Sequence, residues 1–393
     1  MITVADALKN IDEHTGLGHK ISKSLTEAYA HVLAENVLAP MNMPPFRQSS
    51  MDGYALRWSD STTYNVAGEV QAGIAKNSAL KNGDAVRIFT GARVPDDADT
   101  VLIQEHTTRE SNVLHVNKMP AMGANVRPVG EQVQLGDLVL EEGTFLNEAA
   151  IGFLAGLGFE EVSVYAPPKV GILVTGNELQ QPGKPLEEGQ IYESNAITLQ
   201  MALKRAGINQ VTVKRVGDNL QETVVALEKL LENSALVLIS GGISVGDYDF
   251  AQEALRKNGV QEVFYKVNQK PGKPLWFGIK GEKQVFALPG NPGSCLTCFY
   301  IYVWPMLRKH RGMKNYQNDE KTATLRTPVK NPFGKVLFLK ATVSNGEARA
   351  LGGQASSMLK SFAVCNALLL VPAESEEINP GEKIHYIPLD QLQ

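Results

Sequence analysis

The sequence is poor in cysteine, in long apolar stretches and in excess positive charge, and each shortage excludes a class of protein. Its 393 residues include only three cysteines, which is too few for a disulfide scaffold and is typical of a reducing compartment. The longest apolar run, over residues 295–307, is too short to span a bilayer and contains Pro305. The 42 acidic residues outnumber the 38 basic ones, and a net charge of −4 argues against nucleic acid as the main partner.

The first residues also lack the features of a signal peptide. Asp6 comes before any basic region or long apolar run. With 43% apolar and 20% charged residues, the composition is that of a folded chain rather than of a disordered or membrane protein. A chain of this length suggests roughly two to four domains. We therefore expect a soluble, cytoplasmic, multidomain protein.

Several familiar enzyme motifs are missing. The sequence has neither the Walker A pattern nor G-x-G-x-x-G, so nucleoside triphosphate and dinucleotide binding lose their usual support. It has no G-x-S-x-G elbow, and its seven histidines show no H-E-x-x-H spacing. Cys295 and Cys298 are spaced like a metal or redox pair. Because they lie in an apolar predicted helix without a second pair, we expect them to pack in the core.

The residue pattern divides the chain into four parts. We predict a helical N-terminal element from residues 1–47 with 143–167, interrupted by an inserted β-rich domain over residues 48–142. Residues 168–315 alternate strand and helix signals, which is typical of a mostly parallel α/β sheet with helices on both faces. Residues 316–393 return to strand signals and are predicted to form a C-terminal β domain.

Local signals support these assignments. Ser24 and Glu27 form a capping-box pattern, and the apolar residues that follow at helical spacing predict a helix through residue 34. Asn147 is predicted to cap a second short helix. The apolar run over residues 170–174 predicts a strand buried on both faces. Asn345-Gly346 is a strong hairpin signal in the C-terminal part.

Three loops after predicted strands carry most of the candidate chemistry. They cover residues 175–178, 240–249 and 288–294, and the turn over residues 270–274 adds two lysines. Ligands of open α/β sheets bind beyond the carboxyl ends of the strands, where these loops meet. Glycine amides and a helix N-terminus suit phosphate, and carboxylates suit a hard cation. Each loop alone is common as a structural turn, but together they predict a phosphorylated ligand with a divalent metal.

Nine segments spread along nearly the whole chain carry a resemblance to a known family. They cover residues 50–55, 90–92, 104–105, 127–131, 175–179, 189–195, 240–249, 270–274 and 288–292. Met-Asp-Gly-Tyr-Ala, Ser-Gly-Gly-x-Ser-x-Gly and Leu-Pro-Gly-Asn-Pro are highly specific in combination. Through them the sequence resembles the MoeA family, the molybdopterin molybdenumtransferases, to which the C-terminal domain of gephyrin is related.

This resemblance implies a fold and a reaction. The sheet domain would be of the molybdopterin-binding type, the C-terminal domain a β-barrel, and the protein a homodimer whose cleft draws on both chains. The implied reaction inserts molybdenum from molybdate into the dithiolene of adenylylated molybdopterin, depends on Mg²⁺ and releases AMP. The implied partners are those two substrates, a second copy of the chain and other molybdenum-cofactor pathway proteins, with neither nucleic acid nor membrane.

The resemblance also implies roles for individual residues. The catalytic residues would be Asp52, Thr90, Glu178, Asp218, Asp249, Lys270 and Lys273. The substrate-binding residues would be Gly241, Gly242, Ser244, Gly246, Pro289, Gly290, Asn291, Pro292 and Ser356. Glu178 and Asp249 would hold Mg²⁺, and the lysines would neutralise phosphate and molybdate oxygens. Two of these have structural alternatives, because Asp52 could simply form a turn and Asp218 could cap the following helix.

Some positions depart from the family pattern. Gln132 stands where the family usually has an aspartate, and a neutral amide lacks the charge of a metal-binding carboxylate, so we predict no metal role for it. Lys335 and Lys340 stand where arginines are common. At each position a compact ammonium charge replaces a guanidinium group that can make two parallel hydrogen bonds. Ala355 replaces the usual glycine before Ser356. The implied roles in the C-terminal domain are therefore weaker than those in the sheet domain.

Two other functions are open to this sequence. The fold could be a non-catalytic scaffold that binds molybdopterin or anchors a partner, or a nucleotide amidohydrolase of the same sheet superfamily. The acidic and lysine residues of the loops favour chemistry over a pure scaffold. The Met-Asp-Gly-Tyr-Ala segment and the inserted β domain speak against the amidohydrolase.

Overall fold

The computed structural model describes residues 1–74, 79–243 and 250–389. The N-terminal part begins with α1 (Val4–Glu13), β1 (Lys20–Ser24), α2 (Leu25–Ala28) and β2 (Val37–Leu38). The inserted part contains β3 (Gln48–Ser49), β4 (Gly53–Leu56), β5 (Thr63–Val70), β6 (Asp84–Ile88), β7 (Thr100–Ile103), β8 (Thr107–Glu110), β9 (Val113–Val116), β10 (Val126–Arg127) and β11 (Leu138–Leu140). The chain then returns through α3 (Glu148–Gly156) and β12 (Glu161–Tyr165). Strands β1 and β12 pair, as do β2 and β11, so both halves of the N-terminal part meet around the insertion.

The helix predicted after the Ser24 capping box is wrong beyond its first turn. The α2 helix ends at Ala28, and Ser24 makes no cap hydrogen bond but donates to the Glu27 carboxylate at 3.2 Å. Ala30 has a φ of 61°, which breaks the helical path, and Leu33 instead bridges to Val164. Long-range strand pairing therefore overrides the local helical pattern here.

A capping box does occur elsewhere, at the start of α1. Thr3 accepts the amide of Asp6 at 3.0 Å, and the Asp6 carboxylate returns to the Thr3 amide. The buried face of this helix, Ala7 and Ile11, packs on the α/β sheet of the third part. The predicted cap of α3 is confirmed, because Oδ1 of Asn147 accepts the amide of Ala150 in the first turn of that helix.

The third part is an α/β domain. Its elements are β13 (Val170–Thr175), β14 (Leu179–Gln180), β15 (Ile191–Tyr192), α4 (Asn195–Arg205), β16 (Val211–Val216), α5 (Leu220–Asn233), β17 (Leu236–Ser240), α6 (Phe250–Lys257), β18 (Gln261–Tyr265), β19 (Gln269–Lys270), β20 (Trp276–Lys280), β21 (Lys283–Leu288), α7 (Pro292–Cys298) and α8 (Trp304–His310), with a π-helical segment between the last two. The main sheet has the order β16-β13-β17-β21-β20-β18, with its first four strands parallel. Helices α5 and α6 cover one face, and α4 with α7 and α8 covers the other.

Burial in this domain follows the sequence. All six residues of β13 are buried, as the apolar run predicts. Cys295 and Cys298 lie in the core, and burial raises the pKa of the Cys295 thiol to about 12. Their predicted role in packing is confirmed. Within the described ranges, no helix is long and apolar enough to cross a membrane.

The C-terminal part is a closed β-barrel. The strands of this part are β22 (Lys321–Leu325), β23 (Val329–Lys330), β24 (Val336–Ser344), β25 (Glu347–Ala350), β26 (Ala367–Val371), β27 (Glu377–Ile378) and β28 (Lys383–Pro388). The barrel consists of β22, β24, β25, β26 and β28, whereas β23 and β27 pair with each other in a separate sheet. Pairing of β24 with β26 closes the sheet, and Asn345-Gly346 forms the predicted hairpin with positive φ at both residues. Strand β19 of the α/β domain pairs with β24 and so joins the two domains. The predicted fold class is confirmed.

Candidate functional site

A cavity of about 710 Å³ opens at the carboxyl ends of β13, β17 and β21. The three parallel strands deliver their loops to one edge of the sheet, as expected for a ligand site in an open α/β fold. The residues that line it include Thr175, Gly176, Glu178, Tyr192, Glu193, Asn195, Asp218, Ser240, Gly241, Gly242, Pro274, Pro289, Gly290, Asn291, Pro292 and Ser357. Eight of the residues implied by the resemblance are among them, namely Glu178, Asp218, Gly241, Gly242, Pro289, Gly290, Asn291 and Pro292.

The loops after β13 and β16 each bring one carboxylate to the cavity, Glu178 and Asp218. Gly176 has a φ of 146°, and a Cβ there would lie 2.6 Å from Oε2 of Glu178, so glycine lets this carboxylate fold back over the loop. Asn177 and Asp218 exchange hydrogen bonds of 3.0 and 3.2 Å, which fix the Asp218 carboxylate against the loop after β13. Asp218 does not cap α5, because Asn219 does so by accepting the amide of Glu222.

The loop after β17 brings glycine backbone into the cavity. Gly241 and Gly242 have φ values of 94° and 62°, in the left-handed region that favours glycine. A Cβ at Gly241 would lie 2.8 Å from the carbonyl oxygen of Thr175, so the two loops also need glycine to approach each other. The predicted residues Ser244, Gly246 and Asp249 lie outside the described residues.

The loop after β21 leads into α7, where part of the expected anion site is covered. The amide of Ser294 donates to the carbonyl of Ser356 at 3.0 Å, so it is not available to a ligand. Ser356 itself is not among the cavity-lining residues, whereas its neighbour Ser357 is. The C-terminal barrel therefore reaches the cavity one residue beyond the position implied by the resemblance.

Asn195 connects the second and third loops. Its Nδ2 donates to the Ser240 hydroxyl at 2.8 Å and to the Gly290 carbonyl at 2.7 Å, and this fixes the orientation of the side-chain amide. The loops after β17 and β21 are thereby held at a set spacing. Asn195 is a residue that the sequence analysis missed as a site residue, although it ends one of the family-like segments.

Three lining residues carry buried polar atoms without a hydrogen-bond partner. They are Oγ1 of Thr175, Oε2 of Glu193 and Oδ1 of Asn195. Oε2 of Glu193 nevertheless forms an ion pair with Nη2 of Arg215 at 3.6 Å, and the other oxygen of Glu193 accepts the amide of Ala196 at 2.7 Å. Unsatisfied buried polar atoms are rare in folded proteins and often mark functional sites. The unpaired oxygens of Thr175 and Asn195 at this cavity therefore favour a polar ligand.

The predicted lysines are near the cavity but do not line it. Lys270 and Lys273 are exposed, whereas Pro274 of the same turn is a lining residue. The Lys270 ammonium lies 3.2 Å from the centre of the Phe333 ring. This cation–π contact turns Lys270 toward the C-terminal barrel.

Asp52 and Thr90 form a pair in the inserted domain, and neither is among the cavity-lining residues. The carboxylate of Asp52 accepts the Thr90 amide at 2.7 Å and its hydroxyl at 2.8 Å. The hydrogen bond from the Thr90 amide lowers the pKa of Asp52 most, followed by the hydrogen bond from the Thr90 hydroxyl, and the charge of Arg87 lowers it less. Gln132 is exposed in the same part of the chain, and its amide donates to the Met43 carbonyl.

The donor set at the cavity suits a hard cation. Glu178 and Asp218 supply carboxylate oxygens, which Mg²⁺ prefers. Within the described ranges no group of three or more acidic, histidine or cysteine side chains forms a complete metal site. The described residues thus fit a cation that takes some of its oxygen ligands from the protein and the others from a bound phosphate, as Mg²⁺ commonly does.

Family comparisons cover most of the chain. Residues 2–158 match the MoeA N-terminal region, described as domains I and II, and residues 322–389 match the MoeA C-terminal region, described as domain IV. Residues 171–309 match a probable molybdopterin binding domain, and the cavity lies between the loops of this segment.

Individual relatives agree with the family models. The chain is 35% identical to a molybdopterin molybdenumtransferase of Haemophilus influenzae, over 94% of each chain. It is 33% identical to molybdopterin molybdenumtransferase 2 of Mycobacterium tuberculosis, over 93% of this chain and 94% of the relative. The crystal structure of a molybdopterin biosynthesis moeA protein from Pyrococcus horikoshii OT3 is 30% identical and superposes with a TM-score of 0.83, covering 99% of this chain and all of the other.

Proposed function

The chain belongs to the MoeA family, and on this basis we propose that its sheet-edge cavity holds adenylylated molybdopterin while molybdenum is inserted. The relatives support the general function directly: the chain is an enzyme of molybdenum cofactor biosynthesis that inserts molybdenum. One observation carries the proposed location. Two carboxylates and two glycine-rich loops meet in a single cavity within the segment similar to a molybdopterin binding domain.

In this proposal the phosphate end of the substrate contacts the glycine loops. Gly241 and Gly242 present backbone without side chains, so phosphate oxygens can approach their amides closely. Asn291 and Pro292 line the cavity at the start of α7 and would lie against the same end of the substrate. Thr175 and Asn195 would contact polar groups of the substrate through their unpartnered buried oxygens.

We further propose that Glu178 and Asp249 hold Mg²⁺, and that the carboxylate of Asp218, which lines the same cavity as Glu178, adds to the negative charge facing the ion. When bound, Mg²⁺ would neutralise phosphate oxygens as AMP leaves. The Asn177–Asp218 hydrogen bonds keep one carboxylate fixed, so the protein need not reorganise around the charge.

Lys270 and Lys273 would attract molybdate at the mouth of the cavity. Their exposure and the position of Pro274 at the cavity wall support this role. A contact with a charged group is worth about 1.5–3 kcal/mol, so each lysine-to-alanine variant should need about 10- to 150-fold more molybdate. If both variants kept the wild-type molybdate dependence, the lysines would have no such role.

We propose that the functional unit is a homodimer. Asp52 and Thr90 are implied in catalysis by resemblance, yet they do not line the cavity of their own chain. A second copy could bring this pair to the cavity. At a Mg²⁺ concentration too low for turnover by Glu178→Gln protein alone, mixing it with inactive Asp52→Ala protein should then restore activity, because one of the two mixed clefts would have both residues intact. A sedimenting species of only about 43 kDa would contradict the dimer.

A cytoplasmic location and transfer of the substrate from other pathway proteins complete the proposal. The sparse cysteines suit a reducing compartment. The adenylylated substrate has a hydrolysable phosphoanhydride, and direct transfer between proteins would shield it from water.

The central test measures AMP release and molybdenum incorporation by the purified protein with adenylylated molybdopterin, molybdate and a series of Mg²⁺ concentrations. We expect both products in equal amounts, with Asp249→Asn cutting turnover at limiting Mg²⁺ while substrate still binds. Gln132→Ala should leave metal-dependent turnover unchanged. Tight binding of the substrate without AMP release would support a scaffold and contradict the proposed reaction.

A further inference from the structure

The C-terminal barrel touches the cavity through one short segment, residues 353–358, which we call the barrel loop. Ser357 lines the cavity, and the carbonyl of Ser356 accepts the amide of Ser294 in α7. A Cβ on Gly293 would lie only 2.8 Å from the Ser356 carbonyl oxygen and 3.2 Å from that of Met358. The barrel loop therefore lies directly against the start of α7, and glycine makes this close contact feasible.

The buried side chain of Lys340 holds the barrel loop. This lysine of β24 is only 3% exposed, and its ammonium donates to the carbonyls of Gly353 at 2.8 Å, Met358 at 3.0 Å and Ala355 at 3.4 Å. A lysine ammonium has three donors, and here all three are directed at one segment. Both ends and the middle of the barrel loop are thus tied to a single buried side chain.

Gln354 adds a second attachment. Its side chain accepts the Lys340 amide at 3.0 Å and donates to the Lys340 carbonyl at 2.8 Å. The backbone of β24 and the barrel loop are therefore fixed to each other independently of the ammonium. Substituting Gln354 would therefore loosen the barrel loop from β24 while leaving the Lys340 ammonium in place.

We propose that Lys340 is a positioning residue, which holds the barrel loop against α7 so that Ser357 forms a wall of the cavity and contacts the substrate. The proposal rests on the proposed function of the cavity. Lys340 is not a catalytic residue, because its three donors are occupied by backbone carbonyls. Its charge is directed at peptide dipoles rather than at the ligand, which explains why a lysine is buried in a barrel wall.

The experiment compares Lys340→Met with a matched control, Lys283→Met. Lys283 is also a partly buried lysine that donates to two backbone carbonyls, those of Leu231 and Glu232, but it begins β21 at the edge of the sheet away from the cavity. Hydrogen exchange and the kinetic constants for adenylylated molybdopterin are measured for both variants. For Lys340→Met we expect at least tenfold faster exchange at the amides of the barrel loop and a KM at least about tenfold higher, with a smaller change in kcat. Lys283→Met should change neither.

Two further variants complete the design. Lys340→Arg retains charge and donors and should recover much of the lost affinity, and Ser357→Ala should raise KM about fivefold, as the loss of one neutral hydrogen bond predicts. If Lys340→Met does not fold, Gln354→Ala is tested by the same two measurements and with the same expectation.

The failures can be told apart. A wild-type protein that releases no AMP would refute the proposed function, not the positioning role. Faster exchange of the barrel loop with an unchanged KM would overturn the positioning role alone, and so would an unchanged exchange rate in a folded Lys340→Met protein.

Discussion

Replacing Asn195 by alanine should open the cavity without unfolding the protein. The change removes hydrogen bonds to Ser240 and Gly290, which hold the loops after β17 and β21 at a fixed spacing. Each neutral hydrogen bond contributes about 0.5–1.5 kcal/mol to stability, so together they stabilise this spacing by about 1–3 kcal/mol. If substrate binds only when the spacing is correct, the affinity should fall about 5- to 150-fold.

A matched control separates this effect from a general loss of stability. Asn258 also donates through its side-chain amide to two carbonyls, those of Val224 and Ala254, at 3.1 and 2.9 Å. It joins α5 and α6 and is not among the cavity-lining residues. Asn258→Ala should therefore lose a similar amount of stability while keeping its affinity for the substrate.

The assay is the Kd of adenylylated molybdopterin, with native-state hydrogen exchange in the sheet domain as the measure of stability. We expect Asn195→Ala to weaken binding and to raise exchange at the ends of β17 and β21. Equal Kd values for the Asn195 and Asn258 variants would refute the reasoning, because the two hydrogen bonds at the cavity would then have no influence on the ligand.

Three other predictions follow from single contacts. Gly293→Ala should displace the barrel loop and raise the KM for adenylylated molybdopterin, because the new Cβ would lie 2.8 Å from the carbonyl oxygen of Ser356. The control is Gly152→Ala in α3, which has open space around it and should leave the KM unchanged. Thr90→Val should raise the pKa of Asp52, measured by NMR titration, while leaving it below the ordinary value, because the larger influence, the backbone amide, remains. Since the folded-state pKa of Asp52 is lowered, the stabilisation from this pair is present above about pH 3.9 and is lost as the pH falls through the lowered pKa. Glu178→Gln should raise the Mg²⁺ concentration needed for half-maximal AMP release, measured at saturating substrate, and an unchanged Mg²⁺ dependence would exclude it as a ligand.

Periodic elements of the α/β domain could be predicted from local sequence, because each is buried in the way its pattern requires. The β13 strand is buried throughout, and α5 begins beside Asn219 with its apolar side on the sheet. The helix expected after Ser24 failed for the opposite reason. Leu33 pairs with Val164, more than a hundred residues away, and no local pattern contains that information.

The site shows the same division between local and long-range information. The loops could be predicted because parallel strands must deliver their carboxyl ends to one edge of the sheet. The bridging role of Asn195 could not, because its partners lie in loops 45 and 95 residues further along the chain. Lys340 was noted only as a departure from the family pattern, since nothing in a sequence shows that a lysine will be buried with carbonyls as its partners.

The charges around the cavity give the proposed cation a physical reason. Glu178 and Asp218 line the same cavity as the glycine loops, and a cavity of this volume would be about 11 Å across if it were spherical. A phosphate charge held roughly 6 Å from a carboxylate is repelled by about 3 kcal/mol at an effective dielectric constant of 20. Two such carboxylates would therefore oppose binding by up to about 6 kcal/mol, and by less where solvent screens the exposed Glu178 side chain. A divalent cation between the carboxylates and the phosphate converts this repulsion into attraction, so the acidic wall makes physical sense as part of a metal-dependent site.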